Sequence, residues 1–202
     1  MKKTQRQIQK ELTRENILKA AYKMFSKNGI MNTTTSDVAD AAGVSHGTIF
    51  VHFKTQEELI TAVIQDFGEK IGIRIHELVE NSACIKDILK AHLNAIQEFE
   101  DFYTKLVIES RTIPNASRNV FVSIQSTLSF HLSKALEQQI NAGNIINQPV
   151  YLLFNTWIGI VHYYLTNGDL FAPGESVIER YGDVLIDYYI KLISVKGGKN
   201  DK

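Results

Sequence analysis

The chain has 202 residues, of which 44% are hydrophobic and 22% charged, and its formal net charge is zero. This balance is typical of a folded globular protein, and no apolar run approaches the ~20 residues that cross a bilayer. The basic N-terminus lacks the apolar segment of a secretion signal, and the single cysteine, Cys84, excludes an intramolecular disulfide. We therefore expect a cytoplasmic protein with no membrane association.

The charges are distributed unevenly along the chain. Residues 1–56 contain nine Lys or Arg and four acidic residues, whereas residues 57–202 contain 13 and 18. The positive excess of the first segment predicts contact with a polyanion, although a solvated basic helix face would give the same count.

The N-terminal third predicts three consecutive helices. Apolar residues in 14–27 recur on one helix face, and Asn28-Gly29 is a typical helix end. Thr34 and Asp37 form a capping-box pattern that opens a helix over Thr35–Ala42, which ends at Gly43. Ser45 is in position to cap another short helix, which runs to about Val51.

The second and third helices are too short to be stable alone. They need the apolar face of 14–27, and the expected core of this three-helix unit consists of Val38, Ala39, Ala42, Val44, Ile49, Phe50 and Phe53. The glycine-containing turn between the two short helices is typical of a helix-turn-helix.

The remainder of the chain is also predicted to be helical, which makes the fold class all-α. Helices are expected at 55–80, 85–101, 103–112, 115–142, 147–167 and 175–195, with breaks at Asn, Gly and Pro residues. We therefore predict two domains: 1–54, a helix-turn-helix domain with a basic N-terminal arm, and 55–202, a second helical domain.

The turn at Gly43 gives the third helix a possible role in reading DNA. Glycine tolerates the left-handed conformation of such a turn, and the exposed amino end of the following helix is the end that enters a major groove in helix-turn-helix proteins. His46 and Thr48 would then reach base edges, and Gly47 would let the backbone approach the duplex. A solvent-facing polar surface is the alternative interpretation.

The stretch from Thr33 to Lys54 resembles the DNA-binding signature of the TetR family of bacterial repressors. The similarity lies in Thr33-Thr34, Ala39, Ala42-Gly43-Val44-Ser45, Gly47-Thr48, the aromatic Phe50 and His52-Phe53. It implies an all-helical homodimer that binds a palindromic operator in double-stranded DNA and releases it when a small molecule enters the C-terminal domain. The positions that face DNA in that family are Thr34, Thr35, Ser45, His46, Gly47, Thr48, Phe50, His52 and Lys54.

Two positions depart from the family pattern. Phe50 replaces a tyrosine whose hydroxyl binds a phosphate in the family, and Gln56 replaces a lysine at the start of the following helix. One phosphate-binding hydroxyl and one positive charge are therefore missing from each subunit. We expect the N-terminal arm, with Lys2, Lys3, Arg6 and Lys10, to compensate.

The C-terminal domain is predicted to provide the dimer interface and the effector site. The segments 147–167 and 175–195 are apolar beyond the needs of one core, which favours a four-helix homodimer interface as in the TetR family, with Gly159 allowing close crossing. Aromatic and polar residues further along the domain are candidates for lining an effector cavity, although ordinary core packing would also account for them. These candidate ligand-binding residues are Phe99, Tyr103, Phe121, Gln125, His131 and Trp157.

The sequence contains no recognisable catalytic motif. Phosphate loops, dinucleotide fingerprints, nucleophile elbows and zinc-binding His-Glu-x-x-His are all missing, so no catalytic residue, metal site or cofactor is predicted. The alternative to a ligand-controlled repressor is a DNA-binding regulator controlled by a protein partner or by thiol chemistry at Cys84. The sequence does not identify the effector.

Overall fold

A computed structural model describes residues 4–79 and 84–195, and within them the secondary structure is helical apart from one isolated bridge between Ile145 and Ser194. None of the helices described is long and apolar enough to cross a membrane. The elements are α1 (Gln5–Asn28), α2 (Thr35–Ala42), α3 (His46–His52), α4 (Gln56–Val79), α5 (Ile85–Gln97), α6 (Glu100–Glu109), α7 (Asn115–Asn141), α8 (Val150–Thr166), α9 (Gly168–Phe171) and α10 (Val177–Ile193). The all-α prediction is confirmed.

Helix α1 begins nine residues earlier than the apolar pattern predicts. Thr4 caps it through a capping box with Gln7, whereas its buried residues begin only at Ile17. The first three turns are therefore stabilised by the cap and by backbone hydrogen bonds. Because these turns bury no apolar face, the sequence shows no hydrophobic periodicity there. The expectation of an N-terminal arm is thus corrected for Arg6 and Lys10, which belong to a helix; Lys2 and Lys3 lie outside the described residues.

The short helices α2 and α3 lie where the sequence predicts them. Val38, Ala39, Ile49 and Phe53 are buried as expected. The expectation that Phe50 belongs to the core is wrong, because its side chain is 38% exposed. Successive helical residues are separated by about 100° around the axis, so Phe50 is turned away from the face that Ile49 buries.

The described residues divide into two compact units. The first contains the residues up to Glu69 together with Asp101–Val122, and the second contains Lys70–Glu100 and the residues from Ser123 onward. In the first unit, Phe102 of α6 packs against Tyr22 of α1 and Phe67 of α4, with ring centroids 4.8 and 5.2 Å apart. A functional boundary between residues 54 and 55 stays a prediction.

The second unit is centred on helices α5, α8 and α10. Trp157 and Tyr189 are completely buried, with ring centroids 5.4 Å apart, and the Tyr189 hydroxyl donates to the Leu153 carbonyl at 2.9 Å. The helix α9 was not predicted, because its four residues coincide with the Asn-Gly break and are too few for a periodic pattern.

Candidate nucleic-acid interface

The turn between α2 and α3 is held in one conformation by Gly43 and by a contact from α1. Gly43 has φ of 65° and ψ of 34°, which is the left-handed region. The side-chain amide of Asn16 donates to the Ala42 carbonyl at 2.8 Å, so α1 satisfies one of the last carbonyls of α2. Together they set the direction in which α3 leaves the turn.

The amino end of α3 is exposed, and its polar side chains are ordered by one another. Ser45 caps the helix by accepting the Thr48 amide at 3.2 Å, and the two hydroxyls are 2.8 Å apart. The Nε2 atom of His46 lies 2.9 Å from the Thr35 hydroxyl on α2. The imidazole also meets the Phe50 ring edge-on at 5.0 Å. His46 therefore contacts both α2 and the next turn of α3 while remaining exposed.

The amino end of α2 is closed by a complete capping box. The Thr34 hydroxyl accepts the Asp37 amide at 3.2 Å, and the Asp37 carboxylate accepts the Thr34 amide at 2.8 Å. The hydrogen bonds that the carboxylate accepts, from the Thr34 hydroxyl and backbone, lower the pKa of Asp37. The cap that the sequence predicted is present.

The end of α3 brings His52 and Lys54 to the border of the same surface. His52 is half-buried, and among the described residues its Nδ1 atom is buried with no hydrogen-bond partner. Burial lowers the pKa of His52, and the charges of Lys10 and Arg14 lower it further. The Lys54 ammonium donates to the Phe50 carbonyl at 3.4 Å and so folds back onto α3.

Gln56 has a structural contact that the sequence did not reveal. Its side-chain amide donates to the carbonyl of Thr33 at 2.9 Å, which ties the start of α4 to the connection between α1 and α2. The partner lies 23 residues away, so no local pattern indicates it. The family signature by itself indicates only the loss of a positive charge at this position.

Glu109, the last residue of α6, makes a second contact that no sequence pattern indicated. Its carboxylate accepts the amides of Ile30 at 3.1 Å and Met31 at 2.7 Å, in the connection that leads into α2. The same connection is closed by the Thr33 hydroxyl, which donates to the Gly29 carbonyl at 2.7 Å. A glutamate near the end of a helix carries no signal of such a partner.

Comparison with known proteins assigns the family. The family model described as "Bacterial regulatory proteins, tetR family" matches residues 17–63. The regulator AcrR of Shigella flexneri is 35% identical over 214 residues, which cover 94% of each chain. The chain belongs to the TetR family.

Other transcriptional regulators are similar in sequence or in fold. The transcriptional repressor KstR2 of Mycobacterium tuberculosis is 31% identical over 179 residues, covering 83% of this chain and 88% of that protein. The uncharacterised regulator YerO of Bacillus subtilis is 26% identical over 192 residues, and the chain spans 64% of its length. The structure of FadR from Bacillus subtilis, in complex with stearoyl-CoA, superposes with a TM-score of 0.73 at 19% identity, covering 89% of this chain and 98% of FadR.

In this TetR-family chain the six candidate ligand-binding residues are divided between the two units. Tyr103 and Phe121 are buried in the first, with ring centroids 6.0 Å apart. The residues in the second unit are Phe99, Gln125, His131 and Trp157. Trp157 donates its indole N–H to Nδ1 of buried His92 at 3.1 Å.

A cleft of about 560 Å³ opens in the second unit, between the end of α7 and the start of α8. It is lined by Glu137, Ile140, Asn141, Asn147, Gln148, Pro149 and Val150, a set that contains none of the six candidates. The ligand-binding role of the six residues therefore stays a prediction.

Proposed function

We propose that this protein is a ligand-responsive transcriptional repressor that binds a palindromic operator as a homodimer and is released by a small molecule. The observation that carries the proposal is the exposed amino end of α3, where His46 is oriented by Thr35 and Phe50. A side chain that already has such contacts loses less entropy on meeting a base edge than one without them. The proposal places the protein in the cytoplasm, where it would bind its operator.

The experiment is selection of bound sequences from a random duplex library, followed by measurement of affinity for the selected operator. His46→Ala and Thr48→Ala should each weaken operator binding at least about fivefold, since one good base contact contributes about 1–3 kcal/mol of discrimination. Gln65→Ala, an exposed polar position on α4, is the matched control. Wild-type protein that enriches no sequence would overturn the proposal.

The proposed homodimer uses an exposed apolar face of α8 and α10. On α10, Val184, Tyr188 and Leu192 are spaced four residues apart and are 61%, 57% and 47% exposed. On α8, Leu152 and Tyr163 are exposed, and a Cβ at Gly159 would meet no atom within 4 Å. Exposed apolar stripes on two neighbouring helices are typical of a protein interface.

Val184→Glu combined with Tyr188→Glu should convert the dimer to a monomer, as measured by light scattering during gel filtration. Ile73→Glu on α4 is the matched control, because Ile73 is also 61% exposed but lies outside α8 and α10. A wild-type monomer, or a dimer that survives the double substitution, would contradict this interface.

The effector is proposed to be an apolar molecule with a polar group. The candidate ligand-binding residues remain Phe99, Tyr103, Phe121, Gln125, His131 and Trp157. FadR, which shares the fold, is described in complex with stearoyl-CoA, and KstR2 is described as a ketosteroid regulator. A release assay with acyl-CoA thioesters and steroid-like compounds would test this. The exposed Cys84 supports the alternative of thiol control: oxidant-induced release that is abolished in Cys84→Ala would favour it over a small ligand.

A further inference from the structure

The first three turns of α1 carry a row of basic side chains. Arg6, Lys10 and Arg14 follow one another at intervals of four residues, and all three are exposed. This spacing keeps the side chains on one side of the helix. We call these three residues the basic ridge. By the same geometry Glu15 falls on a different side of α1, whereas Glu11 lies three residues before Arg14, at the edge of the ridge.

The basic ridge continues the face of α1 that packs within the three-helix unit. Ile17 and Ala21 are completely buried, and they follow Arg14 at the three- and four-residue steps of one helix face. Burial of α1 begins only at Ile17. One face of α1 is therefore apolar from Ile17 onward, where it is buried, and cationic before Ile17, where it is exposed.

Two interactions place the basic ridge beside the end of α3. The guanidinium carbon of Arg14 lies 5.1 Å from the centre of the Phe53 ring, immediately after α3. The charges of Lys10 and Arg14 also lower the pKa of His52, the last residue of α3. The ridge thus borders the surface that carries His46 and Thr48, in the same three-helix unit.

We propose that the basic ridge binds phosphates of the DNA backbone beside the groove entered by α3, as a second and sequence-independent contact surface. This inference rests on the DNA binding proposed above. A helix holds its charges in a fixed row, so phosphate binding costs less ordering than it would for a disordered arm. The ridge also adds positive charge to a surface in which Lys54 is folded back and Gln56 is occupied by Thr33.

The test compares two double substitutions with equal loss of charge. Arg6→Gln with Lys10→Gln removes two charges of the ridge, and Lys19→Gln with Lys23→Gln removes two exposed charges from another side of the same helix. Affinity for a random-sequence duplex is measured by fluorescence anisotropy between about 50 and 200 mM salt. The slope of log affinity against log salt is negative, and removal of the ridge charges should make it shallower by about 0.9 for each phosphate that the protein no longer neutralises; the control pair should leave it unchanged.

A third variant separates a rigid ridge from a flexible basic arm. Gln9→Pro keeps every charge but interrupts α1 between Arg6 and Lys10. We expect it to make the negative salt slope shallower, as the charge substitutions do, while circular dichroism shows that the remaining chain keeps its helix content. A slope equal to that of the wild type would show that a rigid ridge is not needed and would overturn the proposal.

The outcomes also separate the ridge from DNA binding itself. If the wild type binds duplex DNA and both double variants have the same slope, the ridge proposal fails and the helix-turn-helix function stands. If the wild type binds neither random nor selected duplexes, the proposed function fails, and the ridge proposal fails with it.

Discussion

The carboxylate of Glu109 accepts the backbone amide of Met31 at 2.7 Å, and so joins the last residue of α6 to the connection between α1 and α2. The neighbouring amide of Ile30 donates to the same carboxylate at 3.1 Å. One side chain thus satisfies two backbone donors that precede α2 and α3. Displacement of α6 would break these bonds or move the connection with it.

Substitution of Glu109 should destabilise the first unit. In Glu109→Gln one carboxylate oxygen is replaced by an NH2 group, which cannot accept a hydrogen bond. One of the two amides, that of Ile30 or that of Met31, therefore loses its charged acceptor. We expect the free energy of unfolding in urea to fall by about 1–3 kcal/mol. Glu69→Gln, an exposed glutamate on α4, is the control. Equal stability of the two variants would mean that the Glu109 bonds contribute nothing net.

Gly29 and Gly43 should respond differently to alanine. Gly43 has φ of 65° and open space around it, whereas Gly29 has φ of 97° and a Cβ there would lie 2.7 Å from Oε1 of Glu109. Gly43→Ala should cost about 1–2 kcal/mol for the left-handed backbone. Gly29→Ala should cost more in the same urea-unfolding measurement, because its φ and ψ are nearly exclusive to glycine and the side chain collides.

A double-mutant cycle separates the two contributions at Gly29. With Glu109→Ala already in place, Gly29→Ala should cost less than in the wild-type background, because only the backbone strain remains. The measurement is urea unfolding of the four proteins. If the losses of stability from the two substitutions simply add, the Glu109 side chain moves away from the new Cβ at position 29 without cost.

The cap of α2 should stabilise the protein measurably. Thr34→Ala removes the hydroxyl that accepts the Asp37 amide, and a decrease of about 1 kcal/mol in the free energy of unfolding is expected. Thr34→Ser keeps the hydroxyl and should remain close to wild type. Since the pKa of Asp37 is lowered in the folded protein, its contribution is present above pH 3.8 and is lost as the pH falls through the lowered pKa. Thr34→Ala should therefore weaken this acid dependence in urea titrations.

Buried histidines should make the second unit sensitive to acid. Burial, together with the smaller effect of the nearby His162, lowers the pKa of His92 from 6.5 to about 3. The unfolded chain binds a proton between these values and the folded chain does not, so stability is complete above pH 6.5 and falls below it. The slope for one such group is about 1.4 kcal/mol per pH unit.

His92→Gln tests this dependence while keeping an acceptor for the Trp157 indole. We expect its free energy of unfolding, followed by tryptophan fluorescence, to fall less steeply than that of the wild type between about pH 6 and pH 4. Parallel curves would show that His92 becomes protonated without unfolding. The pH dependence that remains in His92→Gln should include a contribution from His162, because burial lowers the pKa of His162 to about 4.

Local patterns predicted those elements whose causes are local. The capping box of Thr34 and Asp37, the left-handed turn at Gly43 and the serine cap of α3 each depend on residues within four positions, and each is present. The first turns of α1 and the short α9 were not predicted, because neither buries an apolar stripe. Phe50 was wrongly expected in the core because it is aromatic, although its position next to Ile49 turns it about 100° away from the buried face of α3.

The sequence by itself determined the helical class, the family and the position of the helix-turn-helix, since periodicity, caps and the TetR signature are properties of short segments. Only the tertiary structure decided that Gln56 holds Thr33, that Glu109 holds Met31 and that Trp157 donates to His92. These pairs are separated by 23 to 78 residues. A hydrogen bond between such distant residues depends on how helices pack, and packing is set by the whole core, not by the residues that form the bond.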